Sequence, residues 1–310
     1  MTKDTIGVDI SKDHLDAHRM SDGSSRRFAN DRSGHAAFMG WAGQCARIVH
    51  EPTGPYHRGF ERRLADAGFA LVKVNPRQAR RFAEATGRLA KTDRLDAAML
   101  ARMGALLELE ARPVRTPILG DLKDLHMARE ALVKNRTAAR NRAKNLTLPI
   151  LKRHNAAQLR QIGRQIAALE AEIIALIKAD PDLARRFEIL VSIPGVSAIT
   201  AFALIVDMPE LGTLENGKAA SLTGLAPVAR QSGNWTGRAF IRGGRAKVRR
   251  ALYMPALVAM RFNPELKAKY DQLKAAGKPS KVAITAIMRK LIVLANALLR
   301  DQRKWTKALP

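Results

Sequence analysis

Acidic residues are scarce in this 310-residue chain: 28 Asp and Glu stand against 54 Lys and Arg, a formal net charge of +26. An imbalance of that size exceeds what solubility requires and implies a polyanionic partner, bound with release of phosphate counterions. Cysteine is almost missing as well. The single Cys45 excludes an intramolecular disulfide and fits a reducing cytosol. The seven His residues have no paired spacing with Cys, which argues against zinc. No run of about 18 uninterrupted apolar residues occurs, so a spanning helix is not expected. The opening MTKDTIGVDI has neither the charged nor the apolar part of a secretion signal. A Gly-x-x-x-x-Gly-Lys-Ser/Thr phosphate loop is also lacking, so ATP-driven chemistry is not indicated. These absences leave a cytoplasmic, nucleoid-associated protein with nucleic acid as its partner and no membrane.

Hydrophobic residues make up 46% of the chain, enough for two or three domains with ordinary cores. The first stretch alternates strands and helices. Thr5–Ile10 reads as a strand, and Leu15–Met20 and Ser25–Asn30 as a hairpin around Ser21-Asp22-Gly23-Ser24. Helices are expected at His35–Gln44, His57–Ala67, Pro76–Glu84 and Arg94–Leu107, with strands at Ala46–His50 and Ala70–Val74. An early hairpin followed by βαβ units predicts a mixed sheet with helices on both faces.

After Pro113 and Pro117 the strand signals stop. Leu119–Asn145 reads as a long helix with a basic middle that includes Arg136 and Arg140. The next helix carries Leu159, Ile162, Ile166, Leu169, Ile173 and Leu176, the three–four spacing of a coiled coil or a helical hairpin. From about Leu183 the chain is expected to be helical again. Ile193-Pro194-Gly195-Val196 reads either as a phosphate-approaching helix-hairpin-helix or as a plain turn.

Four acids stand out by context. Asp9 interrupts the apolar strand Gly-Val-Asp-Ile, where an acid must be hydrated, paired or metal-bound. Glu51 follows Ile48-Val49-His50 at the C-terminal end of a second strand, the edge at which open α/β sheets bind ligands. Asp93 and Asp96, three apart at a helix start, share one face. Each alone reads equally as a solvated acid or a helix cap. Together they suit one or two Mg²⁺ ions, since clustered hard oxygens are that ion's ligands. Such a site serves phosphoryl transfer, and RNase H-like sheets arrange their acids this way.

Between Glu215 and Glu265 there is no acid at all, while Arg230, Arg238, Arg242, Arg245, Lys247 and Arg249 fall within that stretch. Gln231-Ser232-Gly233-Asn234 is expected to be a flexible loop inside it. Flanking arginines, Arg238 and Arg242 among them, would steady charge on a transferring phosphoryl group if Ser232 attacked it. The bland reading of Ser232 is a turn residue. Trp235 reads as a base-stacking side chain or a half-buried anchor.

With these segments in view, the chain resembles the DEDD transposases of bacterial insertion sequences, the bridge-RNA-guided recombinases. The resemblance runs through Gly7-Val8-Asp9-Ile10-Ser11-Lys12, Glu51-Pro52-Thr53-Gly54, Asn75-Pro76, Lys91-Thr92-Asp93-Arg94-Leu95-Asp96-Ala97, Ile193-Pro194-Gly195, Gly224-Leu225-Ala226-Pro227, Gln231-Ser232-Gly233 and Gly277-Lys278-Pro279. It implies a RuvC-like, RNase H-fold domain over 1–112, a long basic helix and coiled coil over 113–182, and a helical transposase domain over 183–310. It further implies metal-binding roles for Asp9, Glu51, Asp93 and Asp96, and Ser232 as a nucleophile that becomes linked to DNA. The implied partners are donor and target DNA, a structured guide RNA, and further copies of the chain as a dimer or synaptic tetramer. Two other readings stay open: a metal-dependent nuclease of Holliday-junction-resolvase type in which water attacks, and a non-catalytic binding protein with a degenerate nuclease fold.

Overall fold

The computed structural model describes residues 4–43, 46–52, 54–87, 93–109, 111 and 116–307, without the side chains of Asp93 and Arg94. Gln44, Cys45, Thr53, Lys91-Thr92 and Pro113 therefore lie outside the described residues. The chain divides into two compact units, Met1–Arg115 and Thr116–Pro310.

In the first unit, β1 (Thr5–Ile10), β2 (His14–Arg19), β3 (Ser25–Ala29), β4 (Arg47–His50) and β5 (Ala70–Lys73) form one sheet in the order β3-β2-β1-β4-β5. β1–β2 and β2–β3 are antiparallel, whereas β1–β4 and β4–β5 are parallel. The helices α1 (Arg32–Ala42) and α2 (His57–Asp66) cover one face, where Phe38, Phe60 and Leu64 pack on Ile6, Val8 and Ile48. The other face carries α3 (Pro76–Ala85) and α4 (Asp93–Leu106), whose Ala79, Met99, Leu100 and Met103 meet Val49 and Val72. This is the RNase H-like mixed sheet that the sequence pattern predicts. α1 starts three residues earlier than its apolar pattern suggests because Asp31 caps it, accepting from the Gly34 amide at 2.8 Å.

In the second unit, α5 (Pro117–Ala143) and α6 (Pro149–Ala179) form an antiparallel helical hairpin. The apolar seam of α6, with Ile162, Ile166 and Ile173 buried, is met within the chain by α5. α7 (Pro181–Val191) and α8 (Ala198–Asp207) follow; residues 200–207 of α8 are all buried and form the centre of this unit. Between them, a Cβ on Gly195 would lie 2.7 Å from the Pro255 carbonyl oxygen and 3.0 Å from the Ala259 nitrogen. The Pro-Gly turn is thus a packing device against the helix that carries those residues, which favours the plain-turn reading.

The remaining elements are α9 (Asn216–Leu222), β6 (Pro227–Ser232), β7 (Trp235–Ile241), α10 (Ala246–Ala251), α11 (Tyr253–Phe262), α12 (Pro264–Ala275) and α13 (Ser280–Arg300). By length and composition α13 would suffice to cross a membrane, but its Ile287, Leu291, Ile292, Leu298 and Leu299 are packed in this unit's core. The β6–β7 hairpin differs from the sequence expectation of an all-helical third region with Ser232 in a loop. Strand-favouring Val228, Trp235, Thr236, Phe240 and Ile241 carry it. Neither of its faces is buried, so the apolar alternation that usually betrays a strand is missing.

Candidate active site

The backbone register directs the segments that carry the candidate acids toward one end of the sheet. β1 and β4 run parallel with Val8 opposite His50, so the next pair in this register is Asp9 and Glu51. Neighbouring strands lie about 4.8 Å apart, which makes the two acids lateral neighbours. Side chains alternate along a strand, so Thr5, Gly7 and Asp9 share one face of β1. α4 lies on that face and touches the backbone of β1: a Cβ on Gly7 would fall 2.0 Å from the Ala97 carbonyl oxygen and 2.3 Å from the Ala101 nitrogen. Farther along α4, a Cβ on Gly104 would fall 2.4 Å from Val49 Cγ2 and 3.1 Å from Thr5 Cγ2. α4 therefore runs antiparallel to β1, and its first turn, with Asp93 and Asp96, projects to the edge where Asp9 and Glu51 end their strands. Asp9, Glu51 and Asp96 are each half-buried.

Among the described side chains, which exclude that of Asp93, no three His, Cys, Asp or Glu groups stand close enough to hold a metal ion. Donor chemistry nonetheless fits a hard divalent cation: Asp9, Glu51 and Asp96 offer hard carboxylate oxygens toward the same end of an apolar sheet.

Sequence reasoning missed two neighbours of this edge. Asp16 lies opposite Asp9 across β1 and β2, on the same sheet face, and is held by Arg27 through bonds of 3.0 and 2.9 Å. The alternation within His14–Arg19 was the available signal. Behind β4, on the α2 side, His50 Nε2 lies 2.6 Å from Glu61 Oε1, and Lys73 Nζ donates to Glu61 Oε2 at 2.8 Å. Burial pushes the Glu61 carboxyl up, but His50 and Lys73 outweigh it and hold the group below the usual glutamate range. This cluster ties β4 to α2 and β5 one residue before Glu51.

Ser232 belongs to the second unit and ends β6 at the tip of the hairpin. Gly233 and Asn234 form the turn; Gly233, at the first turn position, has φ +53°, as a two-residue II′-type turn requires. Arg230 pairs with Gly237 and Ser232 with Trp235, so Arg230, Ser232 and Trp235 share one hairpin face. The Arg230 guanidinium lies 5.9 Å from the Trp235 ring centroid and 5.8 Å from that of Phe240. By the same register Arg238 faces the other way, and Arg242 lies beyond the end of β7.

The remaining basic candidates divide into two groups. Arg230, Arg238 and Arg242 are exposed, as is Arg140 on α5, while Arg136 is half-buried. Three others are engaged within the fold. Arg245 donates to the Asp207 carbonyl at 2.8 Å and pairs with Glu210; Lys247 pairs with Glu130 at 2.7 Å; Arg249 donates to the Thr223 and Gly243 carbonyls at 3.1 and 2.8 Å. Arg245 and Arg249 brace the base of the hairpin rather than its tip.

Comparison with known proteins agrees with this arrangement. A family profile described as a transposase, of the DEDD IS110 type, matches residues 6–151, and a second, "Transposase IS116/IS110/IS902 family", matches residues 187–271. The "Pilin gene-inverting protein" of Moraxella bovis is 29% identical over 328 aligned positions, spanning 100% of this chain and 99% of that protein. Its counterpart from Moraxella lacunata is also 29% identical over the same span. The "Insertion element IS110 uncharacterized 43.6 kDa protein" of Streptomyces coelicolor is 34% identical over 167 positions, 53% of this chain and 40% of that protein. With both transposase signatures in order along one chain, the protein belongs to the IS110-type transposases, enzymes that recombine DNA.

Proposed function

We propose that this transposase cuts and rejoins DNA through a phosphoserine link to Ser232, assisted by a divalent metal at Asp9, Glu51, Asp93 and Asp96. The observation that supports the proposal is the register of β1 and β4 beneath the first turn of α4, which directs the strand ends bearing Asp9 and Glu51 and the start of α4 toward the same end of the sheet. A bound Mg²⁺ would supply charge neutralisation at the scissile phosphate and a lowered hydroxyl pKa. Ser232 Oγ attacks phosphorus, a deoxyribose oxygen departs with the proton, and a P–O bond to serine replaces the P–O bond to sugar. The hydroxyl of the exchanged strand then attacks the phosphoserine and releases Ser232. The number of phosphate ester bonds is conserved, so no ATP is consumed. Arg230, on the hairpin face of Ser232, steadies the negative charge on the transferring phosphoryl group, with Arg238 on the opposite face of the same hairpin. Trp235 on the same face offers a stacking surface to a base beside the cut.

In this proposal residues 1–112 hold the metal, 113–182 form the helical arm and 183–310 deliver the serine. The enzyme works as a homo-oligomer, and a guide RNA pairing with donor and target DNA supplies the sequence choice. A chain with +26 net charge has cations enough for two kinds of nucleic acid. The deciding experiment is Ser232→Ala with supercoiled donor and target DNA. Loss of both strand exchange and the covalent adduct on denaturing gels is expected. Continued cutting without adduct would assign the attack to water and make the protein a nuclease. Sequencing of co-purified RNA tests the guide: no discrete species would remove it.

A further inference from the structure

Glu130 and Glu170 bound a second stretch with no acidic residue, residues 131–169, which holds nine Lys and Arg. It comprises the distal half of α5, the turn, and most of the first two-thirds of α6. Closer to the core the hairpin's cations are consumed in the fold: Lys123 pairs with Asp207, and Arg129 with Glu170 at 2.6 Å. In the distal half, among the described residues, none of the nine pairs with a carboxylate, and eight are exposed. Arg140, in the last turn of α5, and Lys144, its C-cap residue, are four residues apart. Arg153, Arg160 and Arg164 recur at spacings of seven and four on α6, one stripe that rises about 16 Å, roughly five base-pair steps. At the hairpin end, Arg142 and Arg164 flank an open groove between the helices, lined with His154, Asn155, Gln158 and Gln161.

Which partner this fits follows from what is missing. Residues 131–169 contain no Phe, Tyr or Trp, so they have no ring on which to stack an unpaired base. A second copy of the same region is disfavoured, because it would set nine positive charges against nine, despite the exposed Leu148, Ile150 and Leu151 at the tip. We infer that the distal half of the α5–α6 hairpin is a clamp for duplex DNA, gripping the phosphate backbone of the substrate away from the reacting strand without reading its sequence. This rests only on the enzyme acting on DNA, and not on Ser232 or on a metal.

The test is Arg140→Gln, Lys144→Gln, Arg153→Gln and Arg160→Gln combined in the full-length protein, all at exposed helix positions. Binding of a 40-base-pair duplex is titrated between about 50 and 300 mM salt. The slope of log affinity against log salt should shrink by up to about 3.6, near 0.9 for each phosphate no longer neutralised, and affinity at 150 mM salt should fall at least about tenfold. Single-turnover strand cleavage at low salt and saturating DNA should persist, in contrast to Ser232→Ala, which should bind DNA normally and cut nothing. An unchanged slope and affinity for the duplex would overturn the clamp. So would a loss confined to an RNA duplex, or an altered sedimentation coefficient with DNA binding intact, which would reassign the surface to RNA or to a second copy.

Discussion

The acid-bearing sheet edge and the serine-bearing hairpin are built on opposite principles. Asp9 and Glu51 are fixed by their surroundings: Ile6, Val8, Ile48 and Val49 are fully buried beside them, and α4 packs against the β1 backbone with no room for a Cβ at Gly7. Ser232 is fixed by a turn. Its hairpin is exposed on both sides, with Trp235 56% accessible, and a two-stranded hairpin of that kind is marginally stable by itself. On the proposed mechanism, one half of the chemistry is preorganised by the chain's own core, and the other should acquire its rigidity from the DNA it touches. Activity and stability should therefore separate cleanly between the two regions.

The largest expected effect tests that separation. On the proposed mechanism, in which the acids and Ser232 act as a unit, Glu51→Gln, Asp96→Asn and Ser232→Ala should each lower strand exchange by about a thousandfold or more, with effects that do not add. Ser232→Ala should leave the thermal midpoint unchanged, while hydrogen exchange at β6 and β7 should slow only when DNA is present. Protection of those amides in the free protein would show that the hairpin is already rigid and would break the contrast.

Gly7→Val comes next. Its side chain would have to enter the space held by Ala97 and Ala101, where a Cβ alone already lies 2.0 Å from a carbonyl oxygen. Overpacking of this kind costs about 1–3 kcal/mol or more, and here α4 must move, carrying Asp93 and Asp96 from the edge. Metal-dependent cleavage should drop together with the melting temperature of the first unit. Unchanged melting would mean that α4 does not rest on β1.

These two sites were unequally legible from sequence. Strand alternation and the apolar runs around Asp9 and Glu51 located the strands that carry these acids, because burial imposes a pattern on the residues that create it. The close packing of α4 on Gly7, two residues before Asp9, was not legible in the sequence. At Ser232 the chain offered turn chemistry and cations but no buried face, so a strand pair read as a loop. By sequence, Arg238 and Arg242 stood beside the serine, whereas the register of Arg230 with Gly237 sets Arg230 on the hairpin face of Ser232. Long-range pairs were illegible altogether. Arg245, Lys247 and Arg249 read as phosphate contacts, yet they meet Glu210, Glu130 and the Gly243 carbonyl.

Trp235→Ala measures the exposed face directly. Its ring lies over Gly237 and near Arg230 rather than in the core, so melting should stay within about 0.5 kcal/mol of the parent. If the ring stacks on a base, affinity for DNA should fall by about 1–3 kcal/mol. The same loss with Trp235→Phe would count against stacking, because a phenyl ring retains a π-face.

The smallest effect compares the two units in acid. Glu61 in the first unit and Asp207 in the second are both held below their ordinary carboxyl range. Burial raises each one, but His50 and Lys73 outweigh it at Glu61, and His126 and Lys123 outweigh it at Asp207. A depressed folded-state pKa means that the unfolded chain takes up the proton first. The stabilisation is therefore complete above the unfolded value and is lost as pH falls through the folded one. Unfolded glutamate titrates near 4.5 and unfolded aspartate near 3.8, so the Glu61 contribution begins to fade first on acidification. Hydrogen exchange resolved by unit should show the α2–β4–β5 region loosening at a higher pH than the α5–α8 contact. Glu61→Gln should flatten the first transition and leave the second in place. If both regions open together at one pH and neither Glu61→Gln nor Asp207→Asn separates them, the two units share one acid transition and do not unfold independently.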